Sequence, residues 1–395
     1  MTPEVKERIE QIRHGNVPEG YVRSKRGIIP QDWNCCRIED FCFLKSGDTI
    51  TSSRINKNGK YPCYGGNGLR GYTDNFTHDG RHVLIGRQGA LCGNVKFVAG
   101  AFYASEHAVV VTTKNNSLMK YCYYLFDNMN LNQYSESSAQ PGLSVEKLLR
   151  LFTAIPELSE QDRIAQILSA QDEVIELKEK LLEEKQRQKK YLMQRLLTGK
   201  KRLPGFDGEW KDEKLGKLFA ERSETNCEHL ELLAITGTQG VIPRSQLDLK
   251  DNSSEDKSKY LRICVGDIGY NTMRMWQGVS AYSNYEGIVS PAYTILKPNS
   301  MINAKYFSYL FKMPDVVFLF YRFSQGLVDD TRNLKYENFK KIIVNYPVDI
   351  EEQNAIVSIL EKADQEIELI RQSVEQEKQK KKALMQLLLT GIVRV

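Results

Sequence analysis

Two stretches of the 395-residue chain set apolar side chains at alternating steps of three and four. In the first they fall at Ile164, Leu168, Ile175, Leu182, Leu192 and Leu196. In the second they fall at Ile356, Leu360, Ala363, Ile367, Ile370, Val374, Leu384 and Leu388. This rhythm predicts helices that bury one stripe against another helix, the seam of a coiled coil. Pro156 and Pro347 precede the two helices, and Gly199 and Gly391 stand where a helix stops. Ser159 with Asp162 predicts a capping box at the first start. About 38 residues at ~1.5 Å each make a rod of roughly 55–60 Å, which cannot shield its own stripe. Two such rods in one chain bury each other if they run antiparallel; the alternative is that each homodimerises or packs on its neighbouring domain. Charge interrupts the seam at Lys178, Lys185, Lys189, Glu377 and Lys381, and basic residues cluster at 185–190 and 378–382. Such a run reads first as a solvated face, and secondly as the place where the rod meets a partner or DNA.

The two helices are copies of one another. Glu160-Gln161 maps onto Glu352-Gln353, Asp172 onto Asp364, Met193-Gln194 onto Met385-Gln386, and Leu197-Thr198-Gly199 onto Leu389-Thr390-Gly391. The offset is 192 residues throughout, with no gap. The segments before each helix repeat more loosely. Trp33 followed by Ile38-Glu39-Asp40-Phe41 parallels Trp210 followed by Leu215-Gly216-Lys217-Leu218-Phe219, and the aromatic run 120–126 parallels 305–311. The order is therefore globular, helix, globular, helix, with divergent heads on a repeated scaffold. That arrangement suits a protein presenting two different readers at a fixed separation.

Composition changes this picture little. Apolar residues are 41% and charged residues 27%, ordinary for a globular protein of two or three domains. No apolar run approaches the ~20 residues of a membrane span, and the charged N-terminus lacks the layout of a signal peptide, so a cytoplasmic protein is expected. The eight cysteines form no C-x-x-C pair, so free and mostly buried thiols are expected rather than a zinc site. A net charge of +5 is compatible with a polyanionic partner without arguing for one.

Catalytic signatures are missing from the sequence. It has no Pro-Pro, hence no Asn/Asp-Pro-Pro-aromatic motif of an amino-methyltransferase, and no Walker A loop. Gly66-Asn67-Gly68-Leu69-Arg70-Gly71 matches G-x-G-x-x-G literally but lacks the strand before it and the apolar helix after it, so it reads as a glycine-rich turn. Asp172, Glu176 and Lys178 read as solvated helix charges rather than a nuclease set, and His78 and His82 flank an Asp79-Gly80 turn rather than a metal site. No catalytic, cofactor-binding or metal-binding residue is assigned.

These residues are similar to the specificity subunits of type I restriction–modification systems. The resemblance rests on the Trp210-to-Leu215 opening and on the Pro-x-x-x-Glu-Gln helix entry (Pro156 to Gln161, one residue longer from Pro347 to Gln353). The Ile-x-x-Ile-Leu start (from Ile164 and Ile356) and the Leu-Leu-Thr-Gly close also carry it, and it covers nearly the whole chain. Residues 1–29 depart from the pattern. The resemblance implies an α+β protein with two target recognition domains, 30–155 and 203–346. Two spacer helices, 156–202 and 347–395, would pair as an antiparallel coiled coil, with 1–29 as a helical extension. Each head would read one half of a split, asymmetric site in double-stranded DNA. Two methyltransferase subunits would dock on the frame for adenine methylation, and motor–nuclease subunits would join for restriction. The chain itself would bind no cofactor; S-adenosylmethionine, ATP and Mg would belong to the partner subunits.

Base edges are read by Arg, Lys, Asn and Gln, while phosphate contacts set register. The first head offers Tyr64, Asn67, Arg70 and Tyr72 in a glycine-rich loop, then Arg87 and Gln88, with Ser138 and Gln140 further on. The second offers Thr238 and Gln239 in a similar loop, then Asn271, Arg274, Trp276 and Gln277, then Arg322, Gln325 and Arg332. The rival reading of the chain is a pure scaffold whose heads bind protein.

Overall fold

The computed structural model describes every residue except Met1, Ala90, 115–117, 137–140, Thr238 and 248–255. The chain divides into two units, Met1–Glu179 with Gln372–Val395, and Lys180–Arg371.

In the first unit a helix, Pro3–Arg13, is capped by Thr2 and buries none of its residues. A hairpin of Tyr21–Ser24 and Gly27–Pro30 follows. The head is built on four antiparallel strands in the order Cys42–Ser46, Ala108–Thr113, Arg81–Gly86, Val95–Ala99. The two central strands are buried on both faces, so they read as continuous apolar runs rather than as an alternation. Val83, Ile85, Val109 and Val111 face the main core, with Tyr121, Tyr124, Leu125 and Phe126 of the helix Met119–Asn128. Leu84 and Val110 point the other way, into a small core with Val98, Phe102 and Ala104. Over that second face lies a three-stranded sheet of Gly68–Thr73, Tyr61–Gly65 and Tyr103–Ala104. Contrary to the expectation, a strand, Tyr61–Gly65, does precede the literal G-x-G-x-x-G, which supplies the turn and second strand of that hairpin rather than leading into a helix. His78 and His82 pack on Phe102 at ring distances of 5.5 and 5.6 Å.

The second unit repeats the strand order: Phe219–Arg222, Tyr293–Pro298, Ile268–Asn271, Ser280–Tyr282, all antiparallel. Its core is aromatic, with Phe219, Phe307, Phe311, Phe320 and Phe339 in mutual edge and tilted contact. Two further strand pairs, Leu233–Thr236 with Gly240–Pro243 and Leu261–Ile263 with Gly287–Val289, cover its other face around Ile235, Ile263 and Ile295. All eight cysteines are free thiols, five of them buried. Among the described residues, no helix is long and apolar enough to cross a membrane.

Each head is closed at its base by a two-stranded ladder joining its beginning to its end: Asn34–Arg37 with Phe152–Ile155, and Trp210–Lys214 with Ile343–Pro347. A proline just after the first closing strand (Pro156) and at the end of the second (Pro347) precedes a 39-residue helix, Leu158–Leu196 or Ile350–Leu388. The helix starts differ from the expected capping box. Ser159 lies inside the first turn, and its hydroxyl donates to Glu157 Oε1 at 2.6 Å rather than accepting a backbone N–H. Asp349 takes the capping role at the second helix, accepting from the Glu351 amide at 2.8 Å.

Within each unit, segments of the two long helices run in opposite directions. In the first unit Asp172 pairs with Lys381 (2.6 Å), Lys178 with Glu377 (2.8 Å) and Ser373, and Glu179 with Lys378 (2.6 Å). In the second, Lys185 pairs with Glu366 (2.6 Å) and Lys189 with Asp364 (2.5 Å). Of the charges that interrupt the apolar seam, Lys178 and Glu377 are thus each other's partners, while Lys185, Lys189 and Lys381 pair with Glu366, Asp364 and Asp172 of the facing helix. Two neighbouring hydrogen-bond donors, Lys178 and Gln171, hold the Glu377 carboxyl down at about 2.

Candidate nucleic-acid interface

Two kinds of site emerge: a joint, built alike in each unit, where a head is fixed to the helices, and a loop cluster on each head. The joint explains the Glu-Gln pair at each helix start. Gln161 donates to the Pro156 carbonyl (3.0 Å) and accepts from the Leu118 amide (3.4 Å). Gln353 donates to the Pro347 carbonyl (2.9 Å) and accepts from the Asn303 amide (2.8 Å). Each buried amide therefore ties the helix start to the N-terminus of a head helix, with both ends of the side chain satisfied. The glutamates are buried as well and take an arginine from just beyond a helix end. Arg202 makes a two-pronged pair with Glu352 (2.6 and 2.8 Å) and lies over Trp210. Arg394 makes the same pair with Glu160 (2.7 and 2.8 Å), adds Asp32, and lies over Trp33. Gly199 (φ 67°) and Gly391 (φ 71°) turn the chain into these positions in the left-handed conformation that favours glycine.

A second shared feature is a tyrosine–aspartate–lysine set. Tyr124 donates to Asp172 Oδ2 at 2.7 Å, and Lys381 pairs with the same carboxylate from the other long helix. Tyr309 donates to Asp364 Oδ2 at 2.7 Å, and Lys189 completes that set. Burial first, and the accepting carboxylate next, push both phenols up. Each set joins one head to both helices through a charge-assisted hydrogen bond worth about 1.5–3 kcal/mol. Tyr309→Phe and Tyr124→Phe are each expected to cost about 1–2 kcal/mol, since part of that bond is regained from water. Urea unfolding checks this; no loss in either variant would show the phenols to be idle.

The loop clusters place most of the candidate recognition residues. In the first head the Gly66-Asn67 turn lies against the end of strand Arg81–Gly86. A Cβ on Gly86 would sit 1.9 Å from the Gly66 carbonyl oxygen, and one on Gly66 2.7 Å from that of Gln88, so only glycine permits this approach. The segment 87–89 also meets 141–143: the Leu143 amide donates to the Arg87 carbonyl (2.8 Å) and Gly89 to Pro141 (3.0 Å). The fold thus brings the turn bearing Asn67 to the segment bearing Arg87 and Gln88, well separated from it in sequence. Asn67, Arg70, Tyr72 and Gln88 are exposed. Arg87 is half-buried, donates from Nη1 to Ser46 Oγ (2.9 Å), and leaves its Nε buried without a partner among the described residues. Tyr64 is turned inward, its ring edge-on to Phe102 at 6.0 Å. Ser138 and Gln140 lie outside the described residues.

In the second head the loop after Ile268–Asn271 meets the loop 325–333 in the same way, with the Leu334 amide donating to the Thr272 carbonyl at 2.8 Å. This gathers Arg274, Trp276, Gln277, Gln325 and Arg332 near the helix Pro314–Phe323, which carries Arg322. Asn271 turns its Oδ1 back to the Met273 amide (2.9 Å), shaping the loop. Arg274, Gln277, Arg322 and Gln325 are exposed. Trp276 is half-buried, its indole N–H donating to the Met273 carbonyl (2.9 Å). Arg332 lies 4.0 Å from the centroid of the Tyr321 ring, bonded to that phenol and to Asp329. Gln239 is exposed on the hairpin turn after Leu233–Thr236, and Thr238 lies outside the described residues.

A 610 Å³ cleft in this unit runs from that turn past Tyr309 to Lys312. Lys312 donates to the carbonyls of Gly278 (2.7 Å) and Ser280 (2.6 Å), and burial lowers its ammonium to about 8. Among the described residues, no group of three or more His, Cys, Asp or Glu side chains is placed to hold a metal ion.

The expected seam residues are all buried or half-buried, but they divide by role. Ile164, Leu168 and Leu388 belong to the core of the first head. Leu196, Ile356 and Leu360 belong to that of the second. Leu384 packs against the first of these cores and Leu192 against the second, while Ile175, Leu182, Ala363, Ile367, Ile370 and Val374 belong to neither. Sequence reasoning passed over Arg202, Arg394, Tyr124 and Tyr309. The arginines were within reach of the repeat, which extends three residues beyond Gly199 and Gly391 to Arg202 and Arg394.

Comparison with known proteins adds the following. A family model described as type I restriction modification DNA specificity domain matches residues 30–186 and 246–378. A 133-residue stretch is 53% identical to the type I restriction enzyme EcoprrI specificity subunit of Escherichia coli, spanning 33% of each chain. The putative type I restriction enzyme MjaX specificity subunit of Methanocaldococcus jannaschii is 24% identical over 95% of this chain and 97% of its own. The fold is similar to that of the type I restriction-modification S subunit from M. genitalium (TM-score 0.60, 18% identity, covering 90% of this chain and 96% of that one).

Proposed function

This chain belongs to the type I restriction–modification DNA specificity family, and from that premise we propose that it is a non-catalytic subunit that selects the DNA site for partner enzymes. Each head reads one half of a split, asymmetric site in double-stranded DNA. The two long helices pair as an antiparallel coiled coil whose length sets the unread spacer. Two methyltransferase subunits dock on this frame for adenine methylation, and motor–nuclease subunits join for restriction. S-adenosylmethionine, ATP and Mg belong to those partners.

The observation that carries this reading is the matched joint. Two heads with one strand order are fixed to the helices by the same Gln, Glu–Arg and Tyr–Asp–Lys contacts, while their loop clusters differ in sequence. A scaffold alone has no use for such differences, whereas two readers of different half-sites require them. Cations and amides at the loop clusters suit phosphate contact and base-edge readout. Exposed apolar positions at Ile167, Val174 and Leu177 of the first long helix offer surface to a docked partner.

The test is to map methylated adenines in the host genome with and without this chain, and then with Arg274→Ala. A split motif that vanishes on deletion is expected. Loss of one guanidinium contact, worth about 1–3 kcal/mol, should weaken or relax one half-site and leave the other intact. Normal methylation with Arg274→Ala would remove that residue from the interface. Assembly with the partner subunits but no site-selective DNA binding would favour a pure scaffold.

A further inference from the structure

We propose that the second head recognises a thymine in its half-site through an apolar contact made by Leu327. The proposal rests on the reading of the heads as DNA readers and specifies what one of them reads. Leu327 is 99% exposed and Val328 59% exposed, at the tip of the loop 325–333. Scattered apolar residues on a surface need no explanation, but these are not scattered. Phe318 is 57% exposed, and Met273 and Tyr321 are also exposed, on segments that meet the base of this loop. Phe318 stacks on Tyr321 (6.4 Å), and Trp276 meets the same ring edge-on (6.3 Å).

The tip stands on a fixed base. Gln325 and Asn333 exchange both backbone hydrogen bonds at 2.8 Å, and Leu334 is fully buried. Arg332 is held by Asp329 and by the phenol and ring of Tyr321. On the segments that meet the base of this loop Arg274 and Arg322 are exposed, with no ion-pair partner among the described residues. An occupant with anionic groups for these guanidiniums and an apolar group for the tip fits this surface. Duplex DNA meets both demands: its phosphates suit the two guanidinium groups, and the thymine C5-methyl is the apolar feature of the major groove. A protein surface is the other class of occupant. DNA is favoured because the loop bearing Arg274 and Gln277 corresponds to the one bearing Arg87 and Gln88 in the first head: Thr272 and Arg87 accept from Leu334 and Leu143 at the same 2.8 Å.

The experiment uses the full chain assembled with its methyltransferase subunits, on a duplex carrying the site mapped by methylation, the second head's half being the one that responds to Arg274→Ala. Each thymine of that half is replaced in turn by deoxyuridine, which removes only the C5-methyl. One position should lose about fourfold in affinity, the worth of one buried methyl. Leu327→Ala should weaken binding to the thymine duplex by a similar factor, become indifferent to deoxyuridine there, and leave the other half-site unaffected. A half-site without thymine, deoxyuridine tolerated everywhere, or a Leu327→Ala complex that keeps its deoxyuridine sensitivity would overturn the proposal. So would normal DNA binding combined with loss of a partner subunit, which would assign the tip to protein contact. Absence of site-selective binding by the unaltered complex would overturn the DNA reading itself, and this proposal with it.

Discussion

Arg202→Ala is expected to destabilise the unit Lys180–Arg371 by about 3 kcal/mol, and Arg394→Ala to cost the other unit only about 1–2 kcal/mol. Glu352 has a side chain 1% exposed, and both its oxygens are bonded to Arg202. Removing that partner strands a buried carboxylate, the situation in which breaking an ion pair is most damaging. Arg202 is itself 29% exposed, so water can enter behind it, which holds the estimate at the lower end of the usual range. Glu160, 5% exposed, keeps a second donor when Arg394 is lost, because the Trp33 indole N–H bonds to it at 3.0 Å. The Trp210 indole has no such bond; its N–H is buried without a partner among the described residues. For a unit of this size, about 3 kcal/mol corresponds to a fall in melting temperature of roughly 6–12 °C. Calorimetry of the two variants reads the difference. Equal shifts would show that Trp33 contributes nothing to holding Glu160. Restoration of Arg202→Ala by a second change, Glu352→Gln, would confirm that the stranded charge is the cause.

Leu360→Ala and Leu168→Ala should each cost about 2–5 kcal/mol, the range for emptying a well-packed site. Both side chains are fully buried, and both lie in a head's core rather than only along the helix seam. Leu168 packs in the cluster that holds Tyr121, Tyr124 and Leu388, and Leu360 in the one that holds Tyr306, Phe307 and Leu196. The cavity therefore opens where a head is seated on a helix, among large rings that cannot collapse to fill it. Leu177→Ala is the control: on the same helix as Leu168 but 57% exposed, it should stay within about 0.5 kcal/mol. Urea unfolding with the slope held constant measures all three. Losses at Leu168 or Leu360 no larger than at Leu177 would mean that these leucines do not seat the heads.

Much of the frame was legible because helical periodicity survives in the residues that create it. An apolar side chain every third or fourth position, bounded by Pro156 and Gly199 or by Pro347 and Gly391, specifies a long one-faced helix whatever surrounds it. The first helix start was less legible, since Ser159 near Asp162 satisfies a capping pattern on paper while the chain enters the helix one residue earlier. The candidate loop clusters were legible only in part. Arg87 and Gln88 stood out as polar residues beside glycine, but nothing local shows that Tyr64 turns inward onto Phe102 while Asn67 points out.

By itself, then, the sequence determined the two helices, their repetition at an offset of 192, and two divergent heads, one before each helix. These follow from local rules: backbone period, proline and glycine punctuation, and identity between copies. Only the tertiary structure decided what the helices are buried against. An apolar stripe records that it is covered without recording by what, and here its ends are covered by the heads and its interrupting charges are paired with side chains of the facing helix. It also decided what the Glu-Gln pairs are for. Their partners, Arg202 for Glu352 and Arg394 for Glu160, stand 150 and 234 residues away, and only folding gives that separation a length.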